Sequence, residues 1–106
     1  MFLLVGRVET AKIGMFGDLE VTLSDRDAAR PSGGHPQYNC RVIGGSWPGL
    51  EELRLFKRDK PSVERVQEFA LQSIPLPKED EVLQFKVVDI TGSKGYKTLL
   101  CELVAA

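Results

Sequence analysis

Histidine and tryptophan occur once each in this chain, cysteine occurs twice, and no long apolar run is present. Each scarcity excludes something. A His/Cys metal site needs several ligands at short spacing, and no cysteine or acid stands at such spacing from His35, so no zinc site and no cofactor is expected. A lone histidine in a Gly-Pro loop is also a poor start for a Ser-His-Asp or Cys-His arrangement, so catalysis is not expected. No run approaches the ~20 apolar residues needed to cross a bilayer, so no membrane is expected as a partner. The opening MFLLVGRVETA has four consecutive large apolar residues and no basic segment before them, which is not a secretory signal and makes the cytoplasm the expected compartment. Without secretion, Cys40 and Cys101 read as small buried hydrophobes among alternating apolar positions rather than as a disulfide. The segments SGGH at 32–35 and GGS at 44–46 lack the Gly-Lys-Ser/Thr ending of a phosphate loop and read as turns. Net charge is −1, which by itself nominates no partner and lacks the strong basic balance of many nucleic-acid binders.

What is present is enough for one domain over residues 1–106. Hydrophobic residues at 42% and charged residues at 27% suit an ordinary globular core and argue against disorder. The apolar run from Phe2 to Thr10 reads as a strand, with Gly6 a bulge or a point of close backbone approach. A turn at 13–18 follows, and then Leu19, Val21 and Leu23 alternate with Glu20 and Thr22. Residues 24–37 hold two prolines and two glycines and read as a long loop, the kind that tends to be functional or mobile. The stretch from Tyr38 to Ile43 alternates again. After a break at 44–49, the piece at 53–56 fits either a short strand or a helical turn. Val63, Val66, Ala70 and Ile74 recur at helical spacing, with Asp59 or Lys60 as N-cap, Pro61 in the first turn, and Pro75 and Pro77 as stops. Leu83, Phe85 and Val87 alternate, as do Leu99, Cys101 and Leu103. The segment ITGSKGYKT at 90–98 between them is a β-hairpin turn.

The order is strand, strand, strand, helix, strand, strand. That is a mainly β chain with one helix (α+β) in the order of an OB-fold, a five-stranded closed or partly open barrel. A ferredoxin-like fold needs a second long helix and an early βαβ unit, and the chain offers neither. Three segments carry a further likeness: FLLVGRV at 2–8, the helix after the third strand, and EVLQFKV at 81–87 with the hairpin that follows. In these, about half of the chain resembles the OB-fold single-stranded DNA-binding proteins, including small phage-encoded ones. The resemblance is one of layout.

Such proteins stack bases on aromatic rings while cations track the phosphates. Phe16, Tyr38, Trp47, Phe56 and Tyr96 are the candidate rings. For Tyr38 and Phe56 the competing role is core packing, and for Trp47 it is capping one end of the barrel. Arg54, Lys57, Arg58 and Lys60 form the densest positive stretch. Lys94 and Lys97 sit in the hairpin, Arg41 and Lys86 at outward strand positions, and Arg7 joins them. Acids group at 25–27, 51–52 and 79–81, so the two signs have room to lie on opposite faces. The leading expectation is a non-catalytic binder of single-stranded nucleic acid. The alternative is a protein-interaction module, an adaptor or inhibitor, using the same barrel. A homodimer fits either, and so does a separate protein partner.

Overall fold

Alternation of apolar and polar residues builds the strands. In β1 (Phe2–Ile13) Leu4, Gly6 and Val8 point inward. In β2 (Leu19–Ser24) Leu19, Val21 and Leu23 do so, and in β3 (Gln37–Gly45) Cys40 and Val42. Then β4 (Val82–Thr91) contributes Leu83, Phe85 and Val87, and β5 (Thr98–Leu103) contributes Leu99 and Cys101. The computed structural model describes residues 2–25, 35–92, 95 and 97–104. It closes these strands into a barrel in the order β1-β2-β3-β5-β4. This is the expected five-stranded OB-like architecture.

Closure depends on β1 serving two neighbours. Residues 2–7 pair with β4, and residues 7–13 pair with β2. The parallel pair β3 and β5 completes the ring. A walk along register partners from Ile13 through Leu19, Val42, Cys101 and Val87 returns to β1 at Phe2, eleven residues earlier. Such a stagger is what a tilted, closed barrel requires. Register shifts between Val8 and Thr10, Val42 and Gly44, and Val87 and Asp89 supply the bends. Gly6 is therefore not the bulge. It is the close approach, since a Cβ there would lie 2.9 Å from the Ser24 carbonyl oxygen.

Two helices, not one, lie between β3 and β4: α1 (Leu50–Lys57) and α2 (Val63–Ser73). The piece at 53–56 is thus helical. The N-cap of α2 is neither Asp59 nor Lys60 but Ser62, whose Oγ accepts a hydrogen bond from Arg65 N at 3.3 Å. Pro61 precedes the cap, and Pro75 and Pro77 follow the last turn as the sequence predicts. Leu53, Val66, Ala70 and Ile74 cover the end of the barrel and join its core.

Cys40 and Cys101 are both free thiols buried inside the barrel. The neighbouring Cys101 thiol and removal from water both push the Cys40 thiol above its ordinary range, while Cys40 Sγ donates to the Tyr38 carbonyl at 3.7 Å and Cys101 Sγ to the Leu99 carbonyl at 3.5 Å. The pair serves as packing, in keeping with the sequence reading.

Candidate nucleic-acid interface

The β1–β2 turn is built tightly onto α2. Gly14 N donates to the Asp18 carbonyl at 2.7 Å, and Gly17 N donates to the Gly14 carbonyl at 3.0 Å. Gly17 has φ +83°, and a Cβ there would lie 2.7 Å from Val66 Cγ1. Only glycine suits this position on both counts. Phe16, one residue earlier, is left 62% exposed. The link between the helices runs alongside, where Lys60 N donates to the Lys57 carbonyl at 3.1 Å and Lys60 takes a left-handed φ of 50°. Between turn and link is a cleft of about 250 Å³ lined by Phe16, Lys57, Lys60, Pro61, Val63 and Val66.

A chain of opposite charges leads away from this cleft. Lys57 Nζ is 3.8 Å from Asp18 Oδ1, and Arg41 Nε is 3.9 Å from Asp18 Oδ2. Arg41 Nη2 is 3.9 Å from Glu20 Oε1, and Lys12 Nζ is 3.7 Å from Glu20 Oε2. Strand register sets this order, because Lys12 pairs with Glu20 across β1–β2 and Glu20 with Arg41 across β2–β3. Every one of these contacts is longer than a hydrogen bond, so the cations are neutralised but not saturated. Arg41 Nε is shielded from water and, among the described residues, has no hydrogen-bond partner. Beyond Lys12 and Glu20, a shallow groove of about 490 Å³ continues over Thr10, Thr22, Asn39 and Thr98. Its lining mixes these polar residues with Val21 and Cys40, and Thr22 Oγ1 donates to Asn39 Oδ1 at 3.3 Å. Lys97 is exposed next to Thr98.

No protein-family model, curated protein or solved structure matches this chain.

The remaining candidates are dispersed. Trp47 is half-buried over the barrel end among Leu83, Phe85 and Leu103, and its indole N–H donates to the Pro75 carbonyl at 2.7 Å. It therefore caps the barrel, the competing role named above. Phe56 stacks on Phe69 with ring centroids 4.3 Å apart and planes 6° from parallel, and the Arg65 guanidinium lies 6.0 Å from the Phe56 centroid. Tyr38 packs partly buried against the core. Arg54 donates from Nε to Glu51 Oε2 at 3.0 Å and from Nη2 to Oε1, and its guanidinium holds the Glu51 carboxyl below the usual carboxylate range. Arg58 is exposed beyond the end of α1. Arg7 and Lys86 are exposed on the outside of β1 and β4, away from the cleft. Lys94 and Tyr96 lie outside the described residues.

Two expectations change here. Asp18, Glu20 and Glu51 stand among the cations, so the two signs do not separate onto opposite faces on this side. Lys12 belongs to the cationic path, although nothing in its immediate neighbourhood marks it. Counting residues outward from the turn at 14–18 aligns Lys12 with Glu20 and supplies the missing signal. Among the described residues, no group of three or more His, Cys, Asp or Glu is placed to hold a metal, and no helix is long and apolar enough to cross a membrane.

Proposed function

We propose that the protein binds single-stranded nucleic acid without catalysis. The strand runs from the Phe16 cleft across the outer face of β2 and β3 toward the β4–β5 turn. One observation carries the reading: an exposed ring and two lysines share a cleft, and a line of contacting charges extends from it over the sheet. Base–aromatic stacking contributes ~1–3 kcal/mol per base and tolerates any sequence. Phosphates would replace Asp18 and Glu20 as partners of Lys57, Arg41 and Lys12, at the cost of loose exposed ion pairs worth at most about 1 kcal/mol each.

Fluorescence anisotropy of labelled oligo-dT over a salt series tests this. Engagement of Lys12, Arg41, Lys57 and Lys60 gives a log–log salt slope of about −3, from ~0.7 per phosphate contact on a single strand. No binding by micromolar protein at low salt overturns the reading. Trp47 emission is a poor reporter, because its indole is packed over the barrel end and bonded to the Pro75 carbonyl rather than placed in the Phe16 cleft.

A second reading has its own observation. Leu3, Val5 and Val82 are 59%, 54% and 56% exposed on the outer face of β1 and β4, whereas the outer face of β2 carries Glu20 and Thr22 and that of β3 carries Asn39 and Arg41 beside a single exposed Ile43. A protein partner or a second copy of the chain would use that face. Val5→Glu would then abolish the association seen by sedimentation or pull-down and leave oligo-dT binding intact.

A further inference from the structure

We infer that the cleft between the β1–β2 turn and the α1–α2 link is a single-nucleotide pocket, which takes one flat heteroaromatic base on the Phe16 ring and its phosphate between Lys57 and Lys60. This rests on the proposed binding of single strands and adds what happens beyond the sheet: one base leaves the stack and enters a slot made by the helices.

Three features of the cleft argue for it. First, the ring is presented rather than merely uncovered. Gly17 packs against Val66, and two backbone hydrogen bonds close the turn, which holds the backbone at Phe16 beside α2 while the residue stays 62% exposed. A turn free to move would gain by folding the ring down on Val63, itself 46% exposed. Second, the lining beside the ring includes the apolar Pro61, Val63 and Val66, and two lysines, Lys57 and Lys60, line the same cleft, with Lys57 Nζ 3.8 Å from Asp18 Oδ1 at its border. An apolar slot with cations at hand suits a base that carries a phosphate better than it suits a purely apolar or purely anionic ligand. Third, Lys60 is held in a left-handed conformation that a lysine does not favour, and among the described residues it has no ion-pair partner. The strain falls on a cationic residue that lines the cleft, and such strain concentrates at ligand sites.

The same chemistry is met in a free nucleoside monophosphate and in one unit of a strand. Two titrations of the whole protein separate them: dTMP followed by amide and methyl NMR shifts, and labelled oligo-dT followed by anisotropy. Each is run on the wild type, Phe16→Ala, Phe16→Leu and Phe16→Tyr. The expected result is a five- to hundredfold loss of oligo-dT affinity for Phe16→Ala, corresponding to one stacked base. A similar loss is expected for Phe16→Leu, which keeps bulk but has no ring face, with recovery in Phe16→Tyr. Phe16 is exposed, so these variants keep the barrel, and unchanged amide spectra elsewhere verify it. Oligo-dT binding that is equal in wild type and Phe16→Ala overturns the pocket and leaves the sheet-binding reading standing. Shifts from dTMP confined to residues 16, 57, 60, 63 and 66, with no oligo-dT binding, support the pocket as a free-nucleotide site and remove the single-strand reading. No response to either ligand overturns both.

Discussion

Lys60 shows how much can rest on one backbone angle. At φ 50° an L-residue bears a cost of about 1–2 kcal/mol, which glycine avoids. Glycine gives back ~0.5–1 kcal/mol through the freedom it has when unfolded. Lys60→Gly is therefore expected to raise stability slightly, by no more than about 1 kcal/mol in chemical denaturation. The same variant removes a cation from the cleft, so its affinity for oligo-dT falls several-fold and its salt slope becomes shallower by about 0.7. Stability and binding moving in opposite directions is the informative outcome. A variant that gains stability and binds as before would show that Lys60 serves no ligand.

The elements show which parts of the fold the sequence discloses. All five strands announce themselves by period-two alternation, because each has one face in the barrel and one in water. The hairpin register then follows from short turns. The segment at 50–57 satisfies two periods together. Leu53 and Leu55 alternate with Arg54 and Phe56, while Leu50, Leu53 and Phe56 fall three apart. Only burial separates the readings: Leu53 is buried against the barrel, and Leu55 is 46% exposed. An eight-residue helix is marginal alone, so α1 exists through its packing, in particular Leu53 on the core and Phe56 on Phe69. Trp47 misleads for a related reason. Its Gly and Pro neighbours read as an exposed turn, yet the chain leaving β3 crosses the barrel end and lays the indole over it. The N-cap was obscured by Pro61, which fits the first helical turn but here stands just before Ser62. Ser62→Ala removes the oxygen that receives Arg65 N–H and is expected to cost about 0.5–1 kcal/mol, the low end for a cap because the bond is long and exposed. Denaturant titration gives the loss. A null effect would mean that water caps α2 equally well.

At the scale of the whole molecule, the core and the charges have different tasks. Fully burying a side chain such as Phe85 or Leu23 contributes about 1.5–3 kcal/mol, and sixteen hydrophobic residues among those described form the buried core. Exposed ion pairs contribute at most about 1 kcal/mol each, so the line from Lys57 to Lys12 is not what holds the barrel. Sequence alone hides that line, because its members come from β1, the β1–β2 turn, β2, β3 and α1 and meet only on closure. Glu20 is central to it, with Arg41 on one side and Lys12 on the other. Its carboxylate competes with any phosphate for both cations. Glu20→Gln leaves the hairpin and its register in place, removes one competitor, frees Lys12 and leaves Arg41 with Asp18 as its remaining carboxylate. Stability should change by less than about 1 kcal/mol. Affinity for oligo-dT should rise several-fold at low salt, and the salt slope should steepen as Lys12 engages phosphate fully and Arg41 has one carboxylate fewer to leave. Anisotropy at a series of salt concentrations, run beside thermal unfolding, reads both quantities. If affinity and slope match the wild type while unfolding is unchanged, the strand does not cross β2 and β3.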